Sequence, residues 1–141
     1  MADSTGKEPL LLTVLAAGLL AAAVFTFQPY SADWPGRAFA KPARAYVRAA
    51  VGRDSVRLVQ LSASNIPVAW ALGAARMHSE SLALWTGRTS AWTGARSGDT
   101  TEVLLYPPGE VCSTAPIVFR FLGSGTDARV VSARSSCLDP N

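Results

Sequence analysis

Histidine and cysteine, on which most metal and nucleophilic sites depend, are almost missing from this sequence. Its 141 residues contain one histidine, His78, and two cysteines, Cys112 and Cys137, which are too far apart to form a C-x-x-C motif. Neither a phosphate-binding glycine loop nor a G-x-S-x-G nucleophile elbow occurs, and the carboxylates are scattered singly. These absences argue against zinc, haem-attachment, dithiol and acid–base sites. The sequence therefore predicts a protein that is not an enzyme, with no cofactor and no small-molecule substrate.

Charge is also scarce, at 16% of residues, and the formal net charge is only +3. From residue 28 onward, one lysine and eleven arginines stand against eight carboxylates. This bias is mild and lacks the dense basic clusters of nucleic-acid binders, so no nucleic acid partner is predicted. It suits a domain close to anionic lipid. The preference for alanine and arginine is typical of proteins from GC-rich bacterial genomes.

No charge at all occurs in residues 10 to 27, which read LLLTVLAAGLLAAAVFTF. As a helix this run would be about 27 Å long, close to the hydrocarbon thickness of a bilayer. Tyr30 and Trp34 follow where interfacial aromatic residues belong. A cleaved signal peptide is the alternative, but the apolar run is longer than usual and the only A-x-A motif, at residues 38 to 40, lies too far beyond it. The sequence predicts a short tail over residues 1 to 9 and one transmembrane helix over residues 10 to 27.

Two observations disagree about the side of the membrane on which the C-terminal part lies. Arg37, Lys41 and Arg44 follow the apolar run closely, and the positive-inside rule then places that part in the cytoplasm. Cys112 and Cys137 instead suggest one disulfide, which persists in an oxidising space and would stabilise a small domain by roughly 3 to 4 kcal/mol. We favour the cysteine argument, which predicts a single-pass protein of the bacterial inner membrane with a periplasmic domain.

Residues 28 to 52 are predicted to form a connector and then a basic amphipathic helix that opens at Pro42 and stops at a left-handed Gly52. The basic face consists of Arg37, Lys41, Arg44 and Arg48, spaced i, i+4, i+7 and i+11. The opposite face consists of Phe39, Ala43, Tyr46, Val47 and Ala50. Such a helix either lies on anionic lipid headgroups, with Tyr30 and Trp34 beside it, or presents an ordinary solvated face.

The remainder, residues 53 to 141, is predicted to be one small α+β domain, mainly antiparallel β. Alternating or β-branched segments predict strands at residues 54 to 62, 101 to 106, 116 to 122 and 128 to 135. Residues 123 to 127 are predicted to be a turn and residues 86 to 100 a loop. Residues 66 to 85 are left open between a strand followed by a helix and two strands.

Three tryptophans, Trp70, Trp85 and Trp92, are the candidate interaction residues of this domain. The leading functional hypothesis is a non-catalytic accessory subunit of a larger bacterial membrane complex of the respiratory, photosynthetic or secretion type. Its partners would be integral-membrane subunits and anionic lipid. The alternative is an anchored binding module that holds a ligand or cell-wall component near Trp85 and Trp92.

An apolar N-terminal helix, a strand-rich C-terminal part and a late cysteine pair together resemble type IV pilins and pseudopilins. That resemblance implies a component of a pilus-like filament. The sequence departs from the family pattern, because Gly6 is followed by Lys7 rather than Phe or Met, and the apolar run contains Thr13 but no glutamate. Pro29 and Pro35 would also break the long continuous helix of such proteins.

Overall fold

The structure of the protein is a computed structural model that describes residues 8–27, 36–109 and 115–140. The predictions made for Tyr30, Trp34 and Cys112 lie outside these residues. The chain divides into two compact units, Met1–Ala32 and Asp33–Asn141. Each unit is described by itself below.

The first unit contains one helix, α1, over Glu8–Phe27. Within the described residues, however, no helix combines the length and the apolar character needed to cross a membrane. The predicted transmembrane helix is therefore wrong, and so are the single-pass inner-membrane location and the periplasmic domain that depended on it.

The first helix of the second unit is α2, Arg37–Val51, which starts five residues earlier than predicted and includes Pro42 within it. Its end also differs from the prediction. Gly52 is right-handed, with φ −73°, and the left-handed position is taken by Arg53, with φ 52°. Arg53 and Asp54 donate their backbone N–H groups to Ala50 O and Ala49 O, which is the Schellman pattern. The chain is thereby reversed directly into the next helix.

That next helix, α3, spans Ser55–Leu61, where the sequence predicted a strand. Val56 and Val59 suggested the strand, yet both are exposed and only Leu58 is buried. The deciding residue is Asp54, whose side chain accepts the backbone N–H of Arg57 at 2.9 Å and caps the helix. The local β propensity of two surface valines is too weak to oppose the cap and the burial of Leu58.

Residues 65 to 86 are helical except at His78. Both interpretations of residues 66 to 85 began with a strand, and that strand is wrong. Helix α4 spans Asn65–Met77, helix α5 spans Ser79–Ala83, and a 3₁₀ turn follows at Leu84–Thr86. The Ser64 hydroxyl accepts the Ile66 N–H at 3.4 Å and caps α4. The buried residues of α4 recur at helical spacing; they are Pro67, Val68, Ala71, Ala74 and Ala75.

Four strands form one antiparallel sheet in the order β1-β2-β3-β4. They are β1 Ser90–Ser97, β2 Thr100–Tyr106, β3 Ile117–Leu122 and β4 Arg129–Arg134. The last three confirm predicted strands. The first contradicts the predicted loop at residues 86 to 100. The sequence pattern did not indicate this strand because β1 buries only Ala91 and is held mainly by its pairing with β2.

One face of the sheet packs against the helices of the second unit. Phe119 lies at the centre, with its ring centroid 5.7 Å from that of Phe121 and 5.7 Å edge-on from that of Tyr46 in α2. All three aromatic residues belong to a single buried cluster that also contains Leu58 and Trp85. The described residues thus form five α-helices and a four-stranded antiparallel sheet, with more residues in helices than in strands. The predicted mainly β domain is corrected to an α+β domain whose helices cover one side of the sheet.

Candidate functional site

The three candidate tryptophans have different surroundings and do not line one groove. Trp85 is fully buried and donates its indole N–H to Leu105 O at 3.2 Å. Trp70 is half-buried and donates to the Asp139 carboxylate at 2.8 Å. Only Trp92 is largely exposed, at 47%, on the outer face of the sheet. Trp85 therefore stabilises the core and offers no surface to a ligand, so a groove shared by Trp85 and Trp92 is not present.

His78 and Cys137 both lie close to Asp139, His78 by a side-chain contact and Cys137 by its position in the sequence. The His78 imidazole approaches Asp139 O at 3.4 Å, which gives it a structural contact. Cys137 is half-buried. Because Cys112 lies outside the described residues, its pairing with Cys137 stays a prediction. Among the described residues, no group of three or more His, Cys, Asp or Glu side chains is placed to hold a metal ion.

The basic residues of α2 divide into two sets. Arg37, Lys41 and Arg48 are exposed. Arg44 instead lies half-buried, and its guanidinium donates from Nε to Thr89 Oγ1 at 2.9 Å and from Nη2 to Thr89 O at 2.6 Å. Arg44 thus ties α2 to the segment just before β1. The role of these four residues at a lipid surface stays a prediction. The Arg44 guanidinium already binds Thr89 within the domain.

Arg37 and Lys41 line a groove of about 460 Å³ together with Arg57 from α3. The turn between β3 and β4 completes its wall with Gly125 and Thr126. The rest of its lining is apolar and consists of Ala38, Pro42, Ala45, Leu61 and Ala128. We call this feature the basic groove. Among the described residues, its lining contains three cationic side chains and no carboxylate, so its electrostatic potential favours an anionic ligand.

The cations of the basic groove are not neutralised within the described residues. There, the one ion pair joins Arg134 to Glu102 at 3.7 Å, on the outer face of the sheet. Arg57 donates from Nη1 to the Gln60 side chain at 3.1 Å, which leaves its positive charge uncompensated. A second, larger cavity of about 700 Å³ near the β1–β2 turn is lined by both Arg96 and Asp99, so it favours neither sign of charge.

Sequence reasoning found two of the three cations of the basic groove and missed Arg57. It missed Arg57 because residues 54 to 62 were assigned to a strand, which would have placed this side chain elsewhere. Asp54, directly after a turn, was the available signal, since aspartate is among the favoured N-cap residues. Comparison of the chain with protein-family models, with curated proteins and with solved structures finds no match in any of the three.

Proposed function

We propose that this protein is a non-catalytic accessory subunit of a larger protein assembly, and that a partner subunit packs against helix α1. The observation that carries the proposal is the exposure of α1. Its seven large apolar side chains between residues 10 and 20 are 59–71% exposed; they are Leu10, Leu11, Leu12, Val14, Leu15, Leu19 and Leu20. A helix that is apolar on all sides is normally buried.

The energetic argument is direct. Burying a leucine or valine side chain contributes about 1.5 to 3 kcal/mol, so seven of them represent on the order of 10 kcal/mol. Part of that gain is offset by the translational and rotational freedom that association removes. Exposing the same surface to water would favour aggregation, so a covering partner is favoured over free exposure.

The partner must present an apolar helical surface of its own. Integral-membrane subunits are the partner class that we propose, because small residues let their helices pack closely against a neighbouring helix. Small residues on α1, namely Ala16, Ala17, Gly18 and Ala21, would allow a partner helix to approach closely.

Site-specific photo-crosslinking in the native host tests the proposal. A photoreactive amino acid replaces Leu15 in the full-length chain. The matched control carries it at Val56, which is at least as exposed but belongs to α3. We expect irradiation to yield one discrete adduct with a single protein at position 15 and none at position 56. The adduct should disappear when Leu12 and Leu19 are both changed to glutamate. Failure to form any protein adduct at position 15, or equal adducts at both positions, would refute the proposal.

A further inference from the structure

We propose that the basic groove binds an acidic segment of a partner protein, one in which carboxylates flank an apolar side chain. The inference concerns the second unit alone and does not depend on α1. It combines three properties of the groove: its unneutralised cations, its apolar floor and its concave shape.

The cations come from two separate helices. Arg37 and Lys41 lie one turn apart on α2, at i and i+4, so their side chains leave the helix on the same face. Arg57 is contributed by α3. Arg37 and Lys41 are exposed and have no acidic partner among the described residues. A guanidinium carries five N–H donors in a fork that matches a carboxylate, and Arg57 uses one of them on Gln60. The groove can therefore accept more than one carboxylate.

The floor determines what else the ligand must carry. Ala38, Pro42, Ala45, Leu61 and Ala128 present carbon atoms, which a simple inorganic anion leaves in contact with water. A volume of about 460 Å³ falls within the usual range of ligand sites. An apolar side chain such as leucine gains free energy by covering that floor. The matching ligand is thus amphipathic, with negative charge on both sides of an apolar group.

The shape of the groove favours a protein segment over a lipid surface. A bilayer surface is flat on the scale of this site, and an amphipathic helix that binds it lies in the plane of the headgroups. Here the three cations line a concavity between two helices and the β3–β4 turn. The turn also offers polar groups to a peptide backbone, since Thr126 is exposed. A peptide chain can enter such a groove, whereas a bilayer surface cannot follow it.

The test is fluorescence anisotropy with a labelled probe peptide, Glu-Asp-Leu-Leu-Asp-Glu, and the full-length protein in a mild non-ionic detergent. We expect saturable binding that weakens as salt is raised, because the interacting charges are exposed and therefore screened. A peptide with serines in place of the leucines should bind at least about fivefold more weakly, since it cannot cover the floor. A peptide with lysines in place of the carboxylates should not bind.

Two variants locate the binding in the groove. Changing both Arg37 and Lys41 to glutamine should weaken it about tenfold or more, a loss of about 1.4 kcal/mol or more. Ala45→Phe leaves the charge unchanged and fills the floor, so it should weaken binding to a similar extent. The matched control changes Arg76 and Arg88, two exposed arginines outside the groove lining, to glutamine and should keep the affinity within about twofold.

Three results would overturn the inference. One is the absence of saturable binding by the acidic peptide. Another is an equal loss of affinity in the Arg76 and Arg88 control, which would reveal unspecific attraction between net charges. The third is groove-dependent binding to phosphatidylglycerol vesicles with no binding of the peptide, which would assign the groove to lipid. Thermal unfolding of each variant, followed by circular dichroism, verifies that the exposed substitutions leave the fold intact.

Discussion

Replacing Gly36 with alanine should destabilise the second unit strongly, because this glycine lies against the backbone of β1. A Cβ atom at Gly36 would overlap the carbonyl group of Ala91 and lie 2.6 Å from Trp92 N. The obstructing atoms are backbone atoms in a paired strand, so they cannot rotate away as a side chain would. The backbone N–H of Gly36 also donates to Ala91 O at 3.2 Å, and this bond joins the start of α2 to the sheet.

The expected magnitude follows from two contributions. Overpacking at a site that cannot relax costs about 1 to 3 kcal/mol. Loss of the hydrogen bond to Ala91 O costs about a further 1 kcal/mol. We therefore expect Gly36→Ala to lower the free energy of unfolding by about 2 to 4 kcal/mol. Because α2 carries Arg37 and Lys41, a shift of its first turn should also disturb the basic groove.

Gly52 supplies a matched control at the other end of the same helix. It has a right-handed φ of −73°, and a Cβ there would meet nothing closer than Arg48 O, at 3.4 Å. Gly52→Ala should be neutral or stabilising by up to about 1 kcal/mol, since alanine restricts the unfolded chain. Urea unfolding of both variants, followed by tryptophan fluorescence, gives the two values. The reasoning about the close approach of α2 to β1 fails if Gly36→Ala lies within about 0.5 kcal/mol of the unchanged protein.

Three further substitutions test other contacts. Arg44→Gln should lower the free energy of unfolding by about 1.5 to 3 kcal/mol, because buried Thr89 loses its charged donor. In the same urea titrations, the control Arg48→Gln on the exposed face should change it by less than about 0.5 kcal/mol. Burial raises the pKa of Tyr46 to about 12. The protonated phenol therefore favours the folded state fully below pH 10, and this contribution to stability is lost as the pH rises toward 12. The melting temperature of Tyr46→Phe should consequently fall less between pH 9 and 11.5 than that of the unchanged protein. Asp139→Ala removes the acceptor of the Trp70 indole and of a backbone N–H and should cost about 1 to 3 kcal/mol, and an unchanged melting temperature would contradict that role.

Periodicity within single elements was sufficient for part of the fold. The alternation of Val103 with Leu105, and of Phe119 with Phe121, predicted strands that the structure confirms. Alternation identifies a half-buried strand because successive side chains point to opposite faces of a sheet. This information is local, so it is visible in the sequence before any tertiary contact is known.

Strand β1 shows where such reasoning fails. One of its residues, Ala91, is buried, so it has no apolar alternation to detect. It forms because β2 supplies its hydrogen-bonding partners, with Ser97 opposite Thr100 across a two-residue turn. Gly98 occupies that turn with φ 57°, as such tight hairpins require. The pair Gly98-Asp99 therefore favours a hairpin turn, although the pattern of the residues before it does not predict a strand.

Composition and spacing alone thus determined that chemistry-bearing residues are few, that residues 10 to 27 are apolar, and that α2 has a basic face. Tertiary structure decided how those features are used. Thr89, 45 positions from Arg44, removes that arginine from the basic face, while Arg57 joins Arg37 and Lys41 because α3 packs beside α2. The physical reason is that spacing reports neighbours within one element, whereas a groove is formed by elements distant in sequence, whose meeting depends on the packing of the shared core.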